Sequence, residues 1–424
     1  MEKRCIKNFD ELAITPNRKI VLEIMEAGYA AVSTEKVIDS SIFIVGNVLT
    51  IKGKEFNLSK FKNIKIVGFG KSSCEAALSL EKILGDRINE GVVIGLEKVV
   101  SENIETFAGT HPRPSEMNIE AGKKIYELVE QANEDDLIIV LVSGGGSALL
   151  CYPENEYIQG AKLYDSFLES GKTISQINTV RKHISLLKGG GLAKVAYPAT
   201  VVGLIFSDVP GDAFGDVASG PTYKDMTSIN DAKQIIFNNN LGDFDLVETT
   251  KEDKYFEKVY NFVLVSNKIA VEAMARKAQE FDLKINIAST DLYDVIDRAL
   301  EKIFILEKDN SIVLAAGEPS IQVKNKGGKG GRNLHMGLSV IKKKLIDENS
   351  VFVSFASDGM DNSNVAGAII DKNTIEKIER LGLNIDDYLE RFDSYPVFEK
   401  SGDAIMTGPT GANVSDLMIL LTKK

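Results

Sequence analysis

The chain has 424 residues, more than one ordinary hydrophobic core organises, so two domains are the starting expectation. Hydrophobic residues make up 44% and charged residues 26%, the balance of a globular enzyme, and a net charge of −11 argues against nucleic acid as the main partner. Three scattered cysteines offer no disulfide framework or metal spacing, three histidines are too few for a multi-histidine zinc site, and no run of 18 apolar residues offers a membrane span.

The charged opening MEKRCIKNFDEL lacks the apolar centre of a signal peptide, so a cytoplasmic location is expected. Residues 16–33 read as a helix, with Ile20, Ile24, Ala27 and Ala31 on one apolar stripe. A strand starts at 65–68 and ends in Gly68-Phe69-Gly70-Lys71, and 72–84 continue as a helix. A second buried strand, GVVIGL, covers 91–96, and the two prolines of Thr110-His111-Pro112-Arg113-Pro114 exclude a helix there. The pattern predicts a helix over 115–131, with Ser115 as its N-cap. Residues 137–142 are unbroken apolar sequence, the mark of a parallel strand buried on both faces. They run into Ser143-Gly144-Gly145-Gly146-Ser147, and Ala148 to Leu150 begin a helix. The alternation so far is that of a parallel sheet with helices on its faces.

Helices follow over 158–169 and 174–187, the second broken by Lys188-Gly189-Gly190-Gly191. A strand over 200–206 carries Ser207-Asp208-Val209-Pro210-Gly211-Asp212 at its end. Residues 223–260 are charged, Asn-rich and without clear period. This gives an N-terminal α/β domain over 1–225, a hinge region over 226–260 and a C-terminal α/β domain over 261–424. In the last part, strands are expected over 262–265, 284–288, 311–316, 351–356 and 415–421. Helices are expected over 268–280, 291–306, 334–345 and 375–383. Polar segments at strand ends are Gly317-Glu318-Pro319, the loop GGKGGRN over 327–333, Ser357-Asp358-Gly359-Met360-Asp361 and Thr407 to Asn413.

Of seven polar, glycine-rich segments most follow the end of a strand, the edge where open α/β sheets bind ligands. Strand, glycine turn and helix start aim backbone N–H groups at an anion, as in Leu137 to Leu150. Gly70-Lys71-Ser72-Ser73 is no Walker A, since Lys65 stands where the first glycine is required. Ser73 takes the place of the third glycine of a dinucleotide fingerprint, which disfavours a nicotinamide enzyme. Lys71, inside a glycine turn, is either an anion contact or a solvated lysine. Arg181 and Lys188 are either a basic pair at a glycine break or a solvated helix face. Arg332 can clamp a carboxylate or phosphate through two bonds. Asp208, Asp212, Glu318, Asp358 and Asp361 are strand-end acids of the kind that hold Mg²⁺ or take a hydroxyl proton, or simply close turns. His111 contacts a substrate or caps its neighbours, whereas His183 and His335 read as structural. Backbone donors, a lysine, an arginine and several carboxylates together suit phosphoryl transfer.

The ordered set of segments resembles the type II glycerate kinases, whose C-terminal part is the MOFRL domain. The N-terminal matches are Gly70-Lys71, Thr110-His111-Pro112, Ser143 to Leu149, Asn178-Thr179-Val180-Arg181-Lys182-His183, Lys188-Gly189-Gly190, Ser207 to Asp212 and Ala218 to Thr222. The C-terminal ones are Gly317-Glu318-Pro319, Gly330-Gly331-Arg332-Asn333, Ser357 to Asp361 and Thr407 to Val414. The resemblance implies a mostly parallel, Rossmann-like first domain and a MOFRL domain with a mixed sheet. It places the active site in the cleft between them. It also implies ATP-dependent phosphorylation of D-glycerate to 2-phosphoglycerate with Mg²⁺ or another divalent cation. Small molecules are the expected partners, and self-association is left open. Lys71, Arg332 and Asp208 then fall in catalytic places and Asp212 in that of a metal ligand. Substrate or phosphate contacts fall to Ser143, Gly144, Gly145, Gly146, Ser147, His111, Arg181, Lys188, Glu318, Asn333, Asp358 and Asn413. Four positions depart from the family pattern: Ser115 and Ala213 replace acids, and Leu334-His335 replace Gln-Glu. The alternatives are a hydroxypyruvate reductase and a non-catalytic binder of sugar acids or nucleotides.

Overall fold

The unbroken apolar run forms a strand, Asp136–Ser143, in which every residue is buried. It belongs to one of two compact units of the chain, Thr34–Leu264; the other joins Met1–Ser33 to Val265–Lys424. The computed structural model describes residues 4–170, 174–208, 214–321, 323 and 328–424.

In the 34–264 unit six strands form one sheet in the order Glu105–Ala108, Glu90–Gly95, Asn63–Phe69, Asp136–Ser143, Thr200–Phe206 and Val259–Val265. The first five pair in parallel. Counted by appearance in the chain, the strand order reverses between Asn63–Phe69 and Asp136–Ser143. Ligands of doubly wound sheets bind at such a switch point, outside the carboxyl ends of the strands. Val67, Phe69, Val140 and Val142 of the two strands pack with Ala121, Ile125 and Val129 of the helix Glu116–Glu130. Each fully buried aliphatic or aromatic side chain contributes about 1.5–3 kcal/mol, which fixes the strand ends and the loops that leave them.

Two features of this unit depart from expectation. A three-stranded antiparallel sheet, Ile42–Val45, Val48–Ile51 and Lys54–Asn57, stands where no strand was read. Its strands have four residues each, too short to show a period. The stretch expected to be irregular contains the helix Ile229–Asn238, opened by a capping box between Ser228 and Asp231.

The other unit carries a mixed six-stranded sheet: Lys284–Leu292, Ser311–Gly317, Asp416–Thr422, Ser350–Ala356, Gly367–Ile370 and Ala404–Ile405. Only the first pair is parallel. The central strand Asp416–Thr422 runs against both neighbours, so Asp416 pairs with Gly317 on one side and Ala356 on the other. Three polar segments thereby meet at one sheet edge. The strand Lys284–Leu292 extends four residues past its expected end, and the next helix is Ile296–Phe304 rather than 291–306.

Residues 4–33, expected in the N-terminal domain, pack into this second unit. Arg18, on the helix Pro16–Val32, is fully buried. Its guanidinium donates to Asp371 at 2.7 and 2.6 Å and to Asp403 at 2.8 Å. Glu26 accepts from the backbone N–H groups of Cys5 and Ile6 at 3.0 and 2.7 Å, holding the preceding segment down.

Candidate active site

The two loops at the switch point are joined by hydrogen bonds. The backbone N–H of Lys71 donates to the Gly144 carbonyl at 2.8 Å, and that of Ser72 donates to Ser143 Oγ at 3.1 Å. Gly70 has φ +126°, and a Cβ there would sit 2.2 Å from Ser143 Oγ, so only glycine lets the loops approach this closely. The consecutive glycines have the same explanation. A Cβ at Gly144 would meet Asp208 Oδ2 at 2.1 Å. One at Gly145 would meet His111 Cδ2 at 3.1 Å and Lys71 Cγ at 3.2 Å. Lys71, His111 and Asp208, expected as site residues from three distant segments, thus lie against one glycine turn. The helix that follows, Gly146–Leu149, is a single turn, so the expected helix-terminus charge is weak and the side chains carry the electrostatics.

Arg181 ends the helix Ile174–His183. Its one hydrogen bond is to Asn178 Oδ1 at 3.5 Å, and no carboxylate pairs with it among the described residues. Burial lowers its pKa, with Cys151, Glu156 and Tyr164 acting in the opposite direction. Asn178 in turn accepts from Ser219 Oγ at 3.4 Å, and Ser219 shares a hydrogen bond with Ser147 Oγ at 2.9 Å. Local burial, then Lys71 and Arg181, push the His111 imidazole down to about 4, although the residue keeps a solvent-exposed edge. It is therefore neutral at pH 7, the form that can both donate and accept a hydrogen bond.

Lys188 does not join this cluster. It is buried, its Nζ donates to the Leu150 carbonyl at 2.6 Å, and it forms an ion pair with Glu156. Its charge is spent inside the protein, holding the segment after the glycine loop; the expectation of a substrate contact is corrected. Burial raises the Glu156 carboxyl despite Lys188. His183 is structural as read, with Nδ1 2.8 Å from the Thr179 carbonyl. Asp212, expected as a metal ligand, lies outside the described residues with Val209, Pro210, Gly211 and Ala213. Ser115 precedes its helix as expected, but its hydroxyl donates to Asn118 Oδ1 at 2.9 Å instead of capping the backbone.

A second cluster occupies the 265–424 unit, at the sheet edge where Gly317, Ala356 and Asp416 align. A cavity of about 270 Å³ is lined there by Glu318, Arg332, Asp358, Asp361, Asn413 and Asp416, among others. Arg332 opens the helix Arg332–Lys342; its Nε donates to Asp416 Oδ2 at 2.9 Å and its Nη1 to Glu318 Oε2 at 3.3 Å. Burial works against its charge, but Asp416 and Glu318 outweigh it and the guanidinium pKa is raised. The N-terminal donors of this helix are taken: Gly331, Asn333 and Leu334 N–H groups all bond the Asp361 carboxylate, at 3.1, 3.2 and 2.8 Å. Asn333 is buried, donates to Asp416 Oδ1 at 2.8 Å and accepts from Ser354 Oγ at 2.5 Å. It organises the site and has no free group for a ligand, against expectation. His335 stacks on Phe392 with ring centroids 5.4 Å apart, a structural use of a departing residue.

Asp416 is the residue that sequence reasoning missed. It was read only as the start of a strand, yet burial, with Asp361 and Glu318, lifts its carboxyl to about 7 against the pull of Arg332 and Asn333. An acid at the first position of an otherwise apolar run, directly after a polar loop, was the available signal. Among the described residues, no group of three or more His, Cys, Asp or Glu is placed to hold a metal ion.

A family model described as a domain of unknown function (DUF4147) matches residues 20–249, and the MOFRL family model matches residues 311–416. The glycerate 2-kinase of Pyrococcus horikoshii is 33% identical over 436 residues, spanning 95% of this chain and 97% of that one. The chain belongs to the MOFRL-domain glycerate kinase family. The D-glycerate 2-kinase of Thermotoga maritima is 31% identical over 425 residues, spanning 95% of this chain and 97% of its own. A solved glycerate kinase structure from Thermotoga maritima superposes with a TM-score of 0.84 at 30% identity, covering 95% of this chain and 99% of that one. A relative from Agrobacterium vitis, 33% identical over 84% of this chain, carries a provisional hydroxypyruvate reductase name. As a glycerate kinase family member, the chain has both sheets expected from the resemblance, a mostly parallel one and a mixed one.

Proposed function

We propose that the protein is an ATP-dependent D-glycerate kinase that forms 2-phosphoglycerate. The observation that carries this reading is the convergence of Lys71 and neutral His111 on the glycine turn at the switch point, with Arg181 near enough to His111 to depress its imidazole and without a carboxylate ion pair among the described residues. Two cations there await an anion. The names of the relatives support the choice of anion and reaction. In the proposed step the C2 hydroxyl oxygen of D-glycerate bonds the γ-phosphorus, the bond to the bridging oxygen of ADP breaks, and the hydroxyl proton passes to a carboxylate.

Lys71 stabilises charge on the transferring group, Arg332 binds an anion in the pocket of its own unit, and Asp208, against Gly144, orients the acceptor hydroxyl. Ser143 to Ser147, His111 and Arg181 hold substrate anions, while Glu318, Asp358 and Asn413 line the pocket beside Arg332. A divalent cation such as Mg²⁺ supplies charge neutralisation on the phosphates. It needs only one or two protein carboxylates beside nucleotide oxygens and water. Asp212 is the carboxylate that would meet that demand, with Asp208 kept for the acceptor hydroxyl. No described helix is long and apolar enough to cross a membrane, and none of the three cysteines forms a disulfide; both suit the cytoplasmic setting we propose.

Incubation with D-glycerate, Mg²⁺ and ATP should release ADP, and enolase alone should then convert the product. A requirement for phosphoglycerate mutase would place the phosphate on the other hydroxyl. NADH oxidation with hydroxypyruvate, and no ADP with glycerate, would establish the reductase instead. The turn Gly68 to Ser73 disfavours that outcome, because Ser73 stands in place of the third glycine of a dinucleotide fingerprint.

A further inference from the structure

We infer that Asp416 is the positioning residue for Arg332, and that an anion binding at Arg332 is accompanied by a proton taken up on Asp416. The inference rests on the kinase reading only in taking Arg332 as a contact for a substrate anion.

Arg332 faces its pocket already engaged, with Nε on Asp416 and Nη1 on Glu318. The two carboxylates differ in freedom. The Glu318 side chain is 37% exposed and can turn away, whereas that of Asp416 is 4% exposed. Asp416 begins the central strand, in register with Gly317 and Ala356, and Asn333 Nδ2 fixes its other oxygen at 2.8 Å. It cannot swing out when a ligand arrives. An anion at Arg332 therefore comes close to a fixed carboxylate.

The groups around Asp416 make that charge hard to tolerate. The helix Arg332–Lys342 supplies one cation, Arg332, and the neutral amide of Asn333. Glu318 follows the strand Ser311–Gly317, and Asp361 and Asp358 follow Ser350–Ala356. Four acids thus share one arginine, and an incoming anion adds a further negative charge. A proton is the smallest species that relieves it. Asp416 sits at about 7, so the proton is within reach near neutrality. The protonated carboxyl still accepts from Arg332 Nε through its carbonyl oxygen, so the guanidinium keeps its aim.

The direction of the linkage follows. Once an anion shares Arg332, the guanidinium stabilises the Asp416 carboxylate less, and the pKa of Asp416 rises further. Between the free and bound values the complex holds one more proton than the free protein. Anion affinity is then level below about 7 and falls as pH rises above it. His111 titrates well to the acid side, near 4, so uptake above neutrality is not its own.

Sulfate, which does not titrate near neutrality, is the probe. It is titrated calorimetrically into the full chain just above neutral pH, in two buffers of different ionisation enthalpy. We expect proton uptake with the wild type and its loss in Asp416→Asn, which keeps the hydrogen bond and removes the charge. At about pH 8 the variant should bind sulfate about tenfold more tightly than the wild type. The same proton uptake and the same affinity in both proteins would overturn the inference. If Asp416→Asn does not fold, the wild-type proton count decides. Uptake absent on the acid side of neutrality and maximal above it supports Asp416; no uptake, or uptake only in acid, overturns it. ADP production with glycerate is assayed separately, so loss of the kinase reading and loss of this one are distinguishable.

Discussion

At the scale of the residue, cations of similar sequence context have different uses. Lys71 lies against a glycine turn and Arg181 acts on His111 beside it, whereas Lys188 is closed inside with Glu156. The difference was not legible, because Arg181 and Lys188 both flank the same helix and glycine break, and only the fold decides which one turns inward. It is measurable. Lys71→Ala and Arg332→Ala should each lower kcat by about 10²–10³-fold with the fold intact, read as ADP release. Lys188→Met should leave KM for glycerate and ATP near wild type. If a water or backbone shift does not satisfy the stranded Glu156, the variant should lose about 3–5 kcal/mol in denaturant unfolding. A large KM effect at full stability would return Lys188 to the binding site.

At the scale of the element, the alternation of strand and helix was readable because buried parallel strands are continuous apolar runs, such as residues 137–142. The small antiparallel sheet over 42–57 could not be read this way: it is made of three four-residue strands, each too short to show a period. The site was legible in its glycine loops and basic residues, since close backbone approach demands glycine at Gly70 and Gly144. Asp416 and the capping use of Asp361 were not, because pairing across a central strand depends on register, which sequence does not display. The placement of the helix Pro16–Val32 was also hidden, since its key contact, Arg18 with Asp371 and Asp403, spans more than 350 residues. Arg18→Ala takes the guanidinium from two buried carboxylates, of which Asp403 keeps Lys377 at 3.0 Å and Asp371 keeps no cation among the described residues, and should cost about 3–5 kcal/mol, checked by chemical unfolding of the full chain.

At the scale of the whole molecule, the net charge of −11 contrasts with a basic cluster at the switch point, so anion binding depends on local charge against the general field. Two groups, one in each unit, set opposite pH trends in stability. His111 is depressed to about 4, so its contribution is present above its ordinary value and is lost as pH falls from about 6.5 towards 4. Asp416 is raised to about 7, so stability on its account is full below its ordinary value and is lost as pH rises from about 4 through 7. Asp416→Asn should therefore raise the melting temperature at about pH 8, by a stabilisation on the order of 2–4 kcal/mol, and change little at the acid end. An unchanged Tm at alkaline pH would deny the raised carboxyl. The strand Asp416–Thr422 also carries a consequence for synthesis. It lies between Ser311–Gly317 and Ser350–Ala356 yet follows both in the chain. On the ribosome those neighbours emerge with an open slot between them, two unpaired edges that no earlier segment fills. Residues 34–264, all made before residue 265, can complete their own sheet meanwhile. The carboxylate that aims Arg332 is thus delivered by the piece that closes the slot, so the pocket is completed only when the second sheet is.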